Sequence, residues 1–259
     1  AGVLEQICFL TVRTWRDGDP IIDLRTHQPK KHPRWILEPF IEHGEPSILF
    51  ADGGSGKSFC ALAMALSIAT YRPILGTPRV PPMNVLYCDW ETNVDTHWQR
   101  LNSLYAAYPD LSRDAPIFYR REVAPFADSI NVLRREIARL EIGFVVIDSV
   151  GRASGQVDGT EGAERMWAAA RSMNLPWLGV DHVSRPKDGD GPVKHDPYGT
   201  VFKKNWTRIT WGVEKAQAEG EDQLHVALIN HKANNGRLQP RQGYCISFEN
   251  EWDEEYGDE

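Results

Sequence analysis

The amino-acid sequence predicts an α/β protein built on a doubly wound, mainly parallel sheet with helices on both faces. Three observations support this prediction. Short apolar runs alternate with amphipathic segments from about residue 46 to residue 183. The runs are almost continuous in Val, Ile and Leu, which is typical of parallel strands covered on both faces. After Val183 strand-like segments follow one another directly, which predicts an antiparallel C-terminal extension of the same sheet.

The elements follow from this alternation in chain order. The strands of the parallel part are expected at Pro46–Ala51, Asn84–Asp89, Pro116–Tyr119, Phe144–Asp148 and Trp177–Val183. The intervening helices are expected at Lys57–Thr70, Val94–Ala107, Ser129–Leu140 and Glu161–Met173. The extension is expected to contain strands Arg208–Val213, Leu224–His231 and Tyr244–Glu249.

Three regions are predicted. Residues 1–34 read as a small β-rich lead-in, with strands at Phe9–Trp15 and Ile21–Leu24 around a turn at residues 17–20. Residues 35–250 form the main domain, and residues 251–259 form an acidic tail. Because the chain begins with Ala1 rather than Met, we expect it to be a trimmed or excised part of a longer protein.

Composition excludes several classes of protein. The net charge of −7 equals the seven acidic residues between Glu249 and Glu259, so the rest of the chain is neutral and offers only local basic loops to a nucleic acid. No apolar stretch is long enough to span a membrane. The four cysteines form no CxxC motif, which argues against a zinc site or a disulfide framework and indicates a reducing, cytoplasmic location.

A phosphate-binding loop is predicted between the first strand and the first helix of the main domain. The segment Ala51–Ser58 reads ADGGSGKS, with Ala51 in place of the usual first glycine. In such a loop, backbone N–H groups and the helix N-terminus bind phosphate oxygens, here those of ATP. The alternative is an ordinary glycine-rich turn, which this motif in this setting makes improbable. The expected ligands of the nucleotide are Gly53, Gly54, Ser55, Gly56, Lys57, which reaches the β- and γ-phosphates, and Ser58, which ligates Mg²⁺.

A second magnesium-side group and a general base are also expected. Asp148 ends the buried strand FVVID, where a P-loop protein places a carboxylate for Mg²⁺; the alternative role is a helix cap. Ser149 follows it, where many ring ATPases have their catalytic glutamate. Glu91, at the end of the strand after the P-loop helix, is the predicted base that orients the attacking water. Asp89 competes for this role, and Glu91 could instead cap the next helix.

With these residues in place, the chain resembles RecA-like P-loop ATPases, and more narrowly the RepA-type hexameric replicative helicases. The resemblance covers about Trp35 to Glu249 and rests on the order and spacing of five motifs, ADGGSGKS, YCDWE, VVIDS, VDHVSR and HKANNG. It implies that Glu91 is the catalytic glutamate and that His182 senses the γ-phosphate. Asp181 replaces a second histidine that the family often has, and His182 read alone could be a structural strand-end residue.

The resemblance also implies an assembly. Arg208 matches an arginine finger and Lys232 matches a lysine that reaches the next subunit's ATP, so that hydrolysis depends on a ring, expected to be hexameric. A surface salt bridge is the alternative for either residue. Loops 151–160 and 184–204 are expected to leave the ligand-bearing edge of the sheet and to bind single-stranded DNA; solvated loops are the alternative.

The leading hypothesis is therefore a Mg²⁺-dependent ring ATPase that moves on single-stranded nucleic acid, with a helicase-like role in DNA replication or repair. A non-translocating regulatory ATPase or recombination mediator of the same fold is the second hypothesis. A P-loop kinase is the third, although the strand-rich C-terminal third does not resemble a kinase lid.

Overall fold

The computed structural model describes residues 2–8, 21–29, 31–155, 160–183 and 205–247. The chain divides into two compact units, Ala1–His32 and Pro33–Glu259. In the first unit, residues 2–8 form helix α1 with exposed side chains. The predicted strand Ile21–Leu24 is not formed, because the Asp23 carbonyl accepts the N–H groups of Thr26 and His27 and closes a turn. The predicted strand Phe9–Trp15 and the acidic tail lie outside the described residues.

The second unit is built on an eight-stranded sheet in the order β11-β10-β9-β3-β8-β7-β5-β6. Strands β3, β5, β6, β7, β8 and β9 are mutually parallel, whereas β10 is antiparallel to both of its neighbours. The C-terminal extension is thus antiparallel within itself, as predicted, but its first strand continues the parallel part. The strands are β3 (Ser47–Ala51), β5 (Asn84–Asp89), β6 (Ile117–Arg121), β7 (Ile142–Asp148), β8 (Trp177–His182), β9 (Ile209–Ala216), β10 (Gln223–Ala233) and β11 (Gln242–Ser247).

Helices cover both faces of this sheet. They are α2 (Lys57–Thr70), α3 (Val94–Ala107), α4 (Phe126–Arg139), the short α5 (Val150–Ala153) and α6 (Thr160–Ser172). A second, three-stranded sheet, in the order β2-β1-β4, contains β1 (Trp35–Glu38), β2 (Ile41–Glu42) and β4 (Thr77–Pro78). No helix in the described ranges is long and apolar enough to cross a membrane.

Two hydrophobic clusters lie on opposite faces of the large sheet. Successive residues of β3 illustrate this, because Leu49 joins the cluster that includes α2 whereas Ile48 and Phe50 join the one that includes α4 and α6. All five residues of β3 are buried. A strand covered on both faces can carry polar groups only at its ends, so the carboxyl edge of the sheet is where functional side chains collect.

Candidate active site

The phosphate loop lies at the carboxyl end of β3 and leads directly into α2. Gly54 and Gly56 have φ values of +67° and +81°, which glycine adopts without steric cost and which let the backbone wrap around an anion. Within the loop the Ser55 hydroxyl donates to the Asp52 carbonyl at 2.8 Å, and the Lys57 Nζ lies 3.5 Å from the same oxygen. Lys57 is buried at the first position of the helix.

Asp148 ends β7 beside the phosphate loop. Its Oδ2 accepts a hydrogen bond from the Tyr87 hydroxyl at 2.7 Å, whereas its Oδ1 is buried without a hydrogen-bond partner in the described ranges. Burial raises the pKa of Asp148, and hydrogen bonds from Tyr87 and Ser58 oppose that rise. A buried carboxylate oxygen in need of a partner, next to a serine hydroxyl, suits Mg²⁺, which takes few protein ligands beside nucleotide phosphates.

Glu91 follows β5 and faces the same edge. Its Oε1 lies 2.8 Å from the His182 Nε2 and 3.9 Å from the Arg152 Nε. The hydrogen bond to His182 lowers the pKa of Glu91 to about 2 against the opposing effect of burial, with help from Ser149 and the positive charge of Lys57. The carboxylate is therefore ionised at neutral pH, the form that accepts hydrogen bonds from a water molecule and can orient it.

Asp89, two residues earlier, is engaged in holding the local structure. Its oxygens accept the Glu91 backbone N–H at 2.8 Å, the Thr92 hydroxyl at 2.8 Å and the Tyr119 hydroxyl at 2.9 Å, and His97 Nε2 lies 3.2 Å away. Burial alone would raise the pKa of Asp89, but these donors hold it well below its usual range. The geometry therefore favours Glu91 over Asp89 as the base.

His182 reaches this site from β8, the neighbour of β3. It stands opposite Ala51 in the register of the two strands, so its position is fixed relative to the phosphate loop. Asp181, one residue earlier, points to the other face, where its Oδ1 accepts the Gly151 N–H at 3.2 Å. Asp181 thus holds the start of α5, while His182 lies beside Glu91.

Arg208 and Lys232 lie at the opposite, amino-terminal edge of the sheet. The Arg208 N–H donates to the Pro46 carbonyl ahead of β3, and its Nε is 3.5 Å from a Glu45 oxygen. The Lys232 Nζ donates to the Thr207 carbonyl at 2.7 Å. The length of β3 separates both residues from their own phosphate loop, so the structure does not bring them together with the other predicted site residues.

Two residues at the site were missed by sequence reasoning. Tyr87, the partner of Asp148, sits inside a strand, where an aromatic residue is equally typical of a core position. The Lys215 Nζ donates to the Gly54 carbonyl at 2.9 Å. The available signal for Lys215 was its position as a charged residue at the end of an apolar run. This signal indicates the phosphate-loop edge of the sheet only when β9 is known to be parallel to β3.

The loop, the buried carboxylate beside it and the mainly parallel sheet define a P-loop ATPase with a RecA-like fold. Residues 18–188 match the model of a family described as an AAA domain, and the chain belongs to that family. It is also similar to the structure of a KaiC-like protein from the hyperthermophilic archaeon Pyrococcus horikoshii OT3, with 13% identity and a TM-score of 0.53 over 81% of this chain and 88% of the other. At that identity the likeness concerns the fold alone. No curated protein sequence matches the chain.

Proposed function

We propose that this protein is a ring-forming ATPase whose ATP hydrolysis is coupled to binding of, or movement along, single-stranded nucleic acid, with a helicase-like role. The observation that carries the proposal is the setting of Glu91. Its carboxylate bonds His182 and is influenced by Lys57 on the nucleotide side, and it lies 3.9 Å from Arg152, which belongs to a predicted nucleic-acid loop. In this proposal Glu91 therefore connects the nucleotide site to the group that would bind the polymer.

Hydrolysis follows from the residues at this edge. The ionised Glu91 carboxylate accepts a proton from the attacking water, while Lys57 and the loop N–H groups stabilise charge on the phosphates. Ser58 and Asp148 are the residues that would hold Mg²⁺, which would supply neutralisation of the phosphate charge. In this proposal His182 responds to the γ-phosphate, which its hydrogen bond with Glu91 and its register with Ala51 support.

Coupling to a polymer is supported by Arg152. The segment 151–160, predicted to be a loop, begins inside the short helix α5, and Arg152 belongs to that helix. Arg152 donates to the Trp90 carbonyl at 3.4 Å and leaves 63% of its side chain exposed. A phosphate group that attracts Arg152 would therefore alter the surroundings of Glu91. The predicted loop 184–204 lies outside the described residues.

Assembly is supported by the separation of the two edges of the sheet. Arg208 and Lys232 are on the edge away from their own phosphate loop, where a neighbouring subunit's nucleotide can meet them. In a ring, each subunit would then supply positive charge to the next subunit's γ-phosphate.

The test compares ATP hydrolysis with and without single-stranded DNA or RNA, together with the mass in solution with a non-hydrolysable nucleotide. We expect an oligomer, stimulation by the polymer, and a stimulation that falls as salt is raised. Arg152→Ala should reduce the stimulation. Its matched control is Arg165→Ala, another exposed arginine of the same unit, which pairs with Asp128 away from Glu91.

Two results would contradict the proposal. An oligomer that hydrolyses ATP at the same rate with and without either polymer would favour the regulatory ATPase. A monomer that transfers the γ-phosphate to a small molecule would favour the kinase.

A further inference from the structure

Lys215 links the C-terminal extension to the phosphate loop. It is the last residue but one of β9, where the buried run of the strand gives way to three exposed residues. Its Nζ donates to the Gly54 carbonyl at 2.9 Å and would be 3.7 Å from a Cβ atom placed on Gly54. The contact joins residues that are 161 positions apart in the chain.

The hydrogen bond acts on one peptide group of the loop. In a trans peptide the carbonyl oxygen and the N–H hydrogen point in opposite directions, so a Gly54 oxygen held by Lys215 directs the Ser55 N–H away from Lys215. Gly53 and Gly54 precede this peptide, and glycine offers little steric resistance to rotation of the plane. A hydrogen bond from outside the loop, such as that from Lys215, can therefore determine the orientation of the Gly54–Ser55 peptide plane.

The extension also supports the loop at a second point. A Cβ atom on Gly56 would lie 3.2 Å from Leu224 Cδ2, 3.8 Å from Val226 Cγ2 and 3.7 Å from Ile246 Cδ1. Val226 is the register partner of Lys215 between β9 and β10. Lys215 and the apolar groups behind Gly56 thus belong to one platform formed by the ends of three strands.

We infer that Lys215 is a positioning residue of the ATP site, acting within its own subunit. It holds the Gly54 carbonyl so that the Ser55 N–H is oriented for a phosphate oxygen before nucleotide arrives. The nucleotide role rests on the proposed ATPase function, but the orientation of the peptide can be measured without ATP.

The experiment compares wild type with Lys215→Met, Lys215→Arg and Glu214→Gln. Methionine approximately keeps the length of the side chain and removes its charged donor, whereas arginine retains a charged donor. Glu214 is the neighbouring exposed residue of β9, points to the other face and lies 3.9 Å from Arg241, so its variant is the matched control. The readouts are hydrogen exchange of the segment 52–58 without nucleotide, affinity for a fluorescent ATP analogue, and the melting temperature.

We expect Lys215→Met to exchange faster in the loop and to bind the analogue about tenfold more weakly, the effect of one charge-assisted hydrogen bond. Lys215→Arg should recover most of the lost affinity and slow exchange, and Glu214→Gln should behave as wild type. The melting temperatures of all the variants should be similar.

Unchanged exchange and affinity in Lys215→Met would overturn the inference while leaving the ATPase proposal intact. A loss matched by a lower melting temperature and not recovered by arginine would overturn it in favour of a general structural role. A wild-type protein that binds no nucleotide would overturn the proposed function, and the nucleotide part of this inference with it.

Discussion

At the scale of single residues, two carboxylates two positions apart have different environments. Asp89 is buried and accepts donors from the following turn, from β6 and from α3. Glu91 contacts His182 and Arg152 at the carboxyl edge of the sheet. The first carboxylate therefore holds structure together, and the second is available for chemistry.

Glu91→Gln should leave ATP binding intact and lower hydrolysis by roughly 10²–10⁴-fold, because the amide cannot accept the proton of water. Steady-state hydrolysis and binding of a fluorescent analogue separate the two effects. The control is Glu136→Gln, an exposed glutamate paired with Arg139, which should hydrolyse ATP normally.

Asp89→Asn should instead lower the free energy of unfolding, by an amount on the order of 2 kcal/mol, as hydrogen bonds to a charged acceptor are weakened. A stable Asp89→Asn protein without hydrolysis, beside an active Glu91→Gln protein, would transfer the role of base to Asp89.

The lowered pKa of Glu91 also predicts a dependence of stability on pH. Because the pKa is about 2 in the folded protein and near 4.5 ordinarily, the ionised group stabilises the fold above the unfolded value, and that contribution is lost as pH falls through the folded value. The difference in unfolding free energy between wild type and Glu91→Gln should therefore shrink as pH falls from about 5 towards 2 in urea titrations. A constant difference would mean that His182 does not stabilise the carboxylate.

The sequence predicted which residues stand at the ends of strands. It did not predict which side chains from other elements contact those residues. The positions of Glu91 and Asp148 at the carboxyl edge could be predicted because each follows an apolar run that is typical of a buried strand. The role of Asp89 could not, because it depends on how His97 and Tyr119 arrive from α3 and β6. Those contacts are set by packing that leaves no local pattern in the sequence.

At the scale of elements, helices with clear signals at both ends were predicted best. Helices α2 and α3 have the predicted bounds, the first beginning after a glycine loop and the second after Asn93. Helix α4 begins three residues earlier than predicted, at the buried Phe126, which packs against Trp90. The direction of β9 relative to β3 was missed, since strand direction depends on a long connection that periodicity does not encode.

Asn93 is expected to stabilise the helix that follows the turn carrying Glu91. Its side-chain oxygen accepts the Thr96 N–H at 2.9 Å, which satisfies one of the free donors of the first turn of α3. Asn93→Ala should cost about 1 kcal/mol of unfolding free energy, measured by urea denaturation. Ser103→Ala, at an exposed hydroxyl within the same helix, is the control and should be near neutral. Equal values for the two variants would show that the cap contributes nothing.

At the scale of the whole molecule, the sheet has two edges with different roles in the proposed ring. The carboxyl edge holds the phosphate loop with Glu91, Asp148 and His182, and the amino edge holds Arg208 and Lys232. Neither edge alone contains every group that the proposed reaction uses. This separation predicts how defective subunits behave in mixtures.

Arg208→Ala should bind ATP and hydrolyse it slowly, because the neighbour's γ-phosphate loses a positive group. Lys57→Ala should fail to bind or turn over ATP. Mixing the two should partly restore hydrolysis, since Lys57→Ala subunits supply Arg208 to intact phosphate loops. Arg237→Ala, an exposed arginine of the loop after β10, is the control and should need no partner.

A monomer that hydrolyses ATP at the full rate with both Arg208 and Lys232 replaced would contradict the ring. So would a mixture of Arg208→Ala and Lys57→Ala with no activity beyond that of its components.

Strand β9 also fixes the distance between Arg208 and Lys215. It separates Arg208, which directly precedes the strand at one edge of the sheet, from Lys215, which contacts the phosphate loop, by seven residues or roughly 23 Å of extended backbone. Its pairing with β3 on one side and β10 on the other holds its backbone extended and keeps this distance constant. In the proposed ring, the spacing between one phosphate loop and the next subunit's γ-phosphate would be set by this strand. A residue inserted into β9 would turn the side chains after it to the opposite face of the sheet, so that Arg208 and Lys215 could not both keep their present positions.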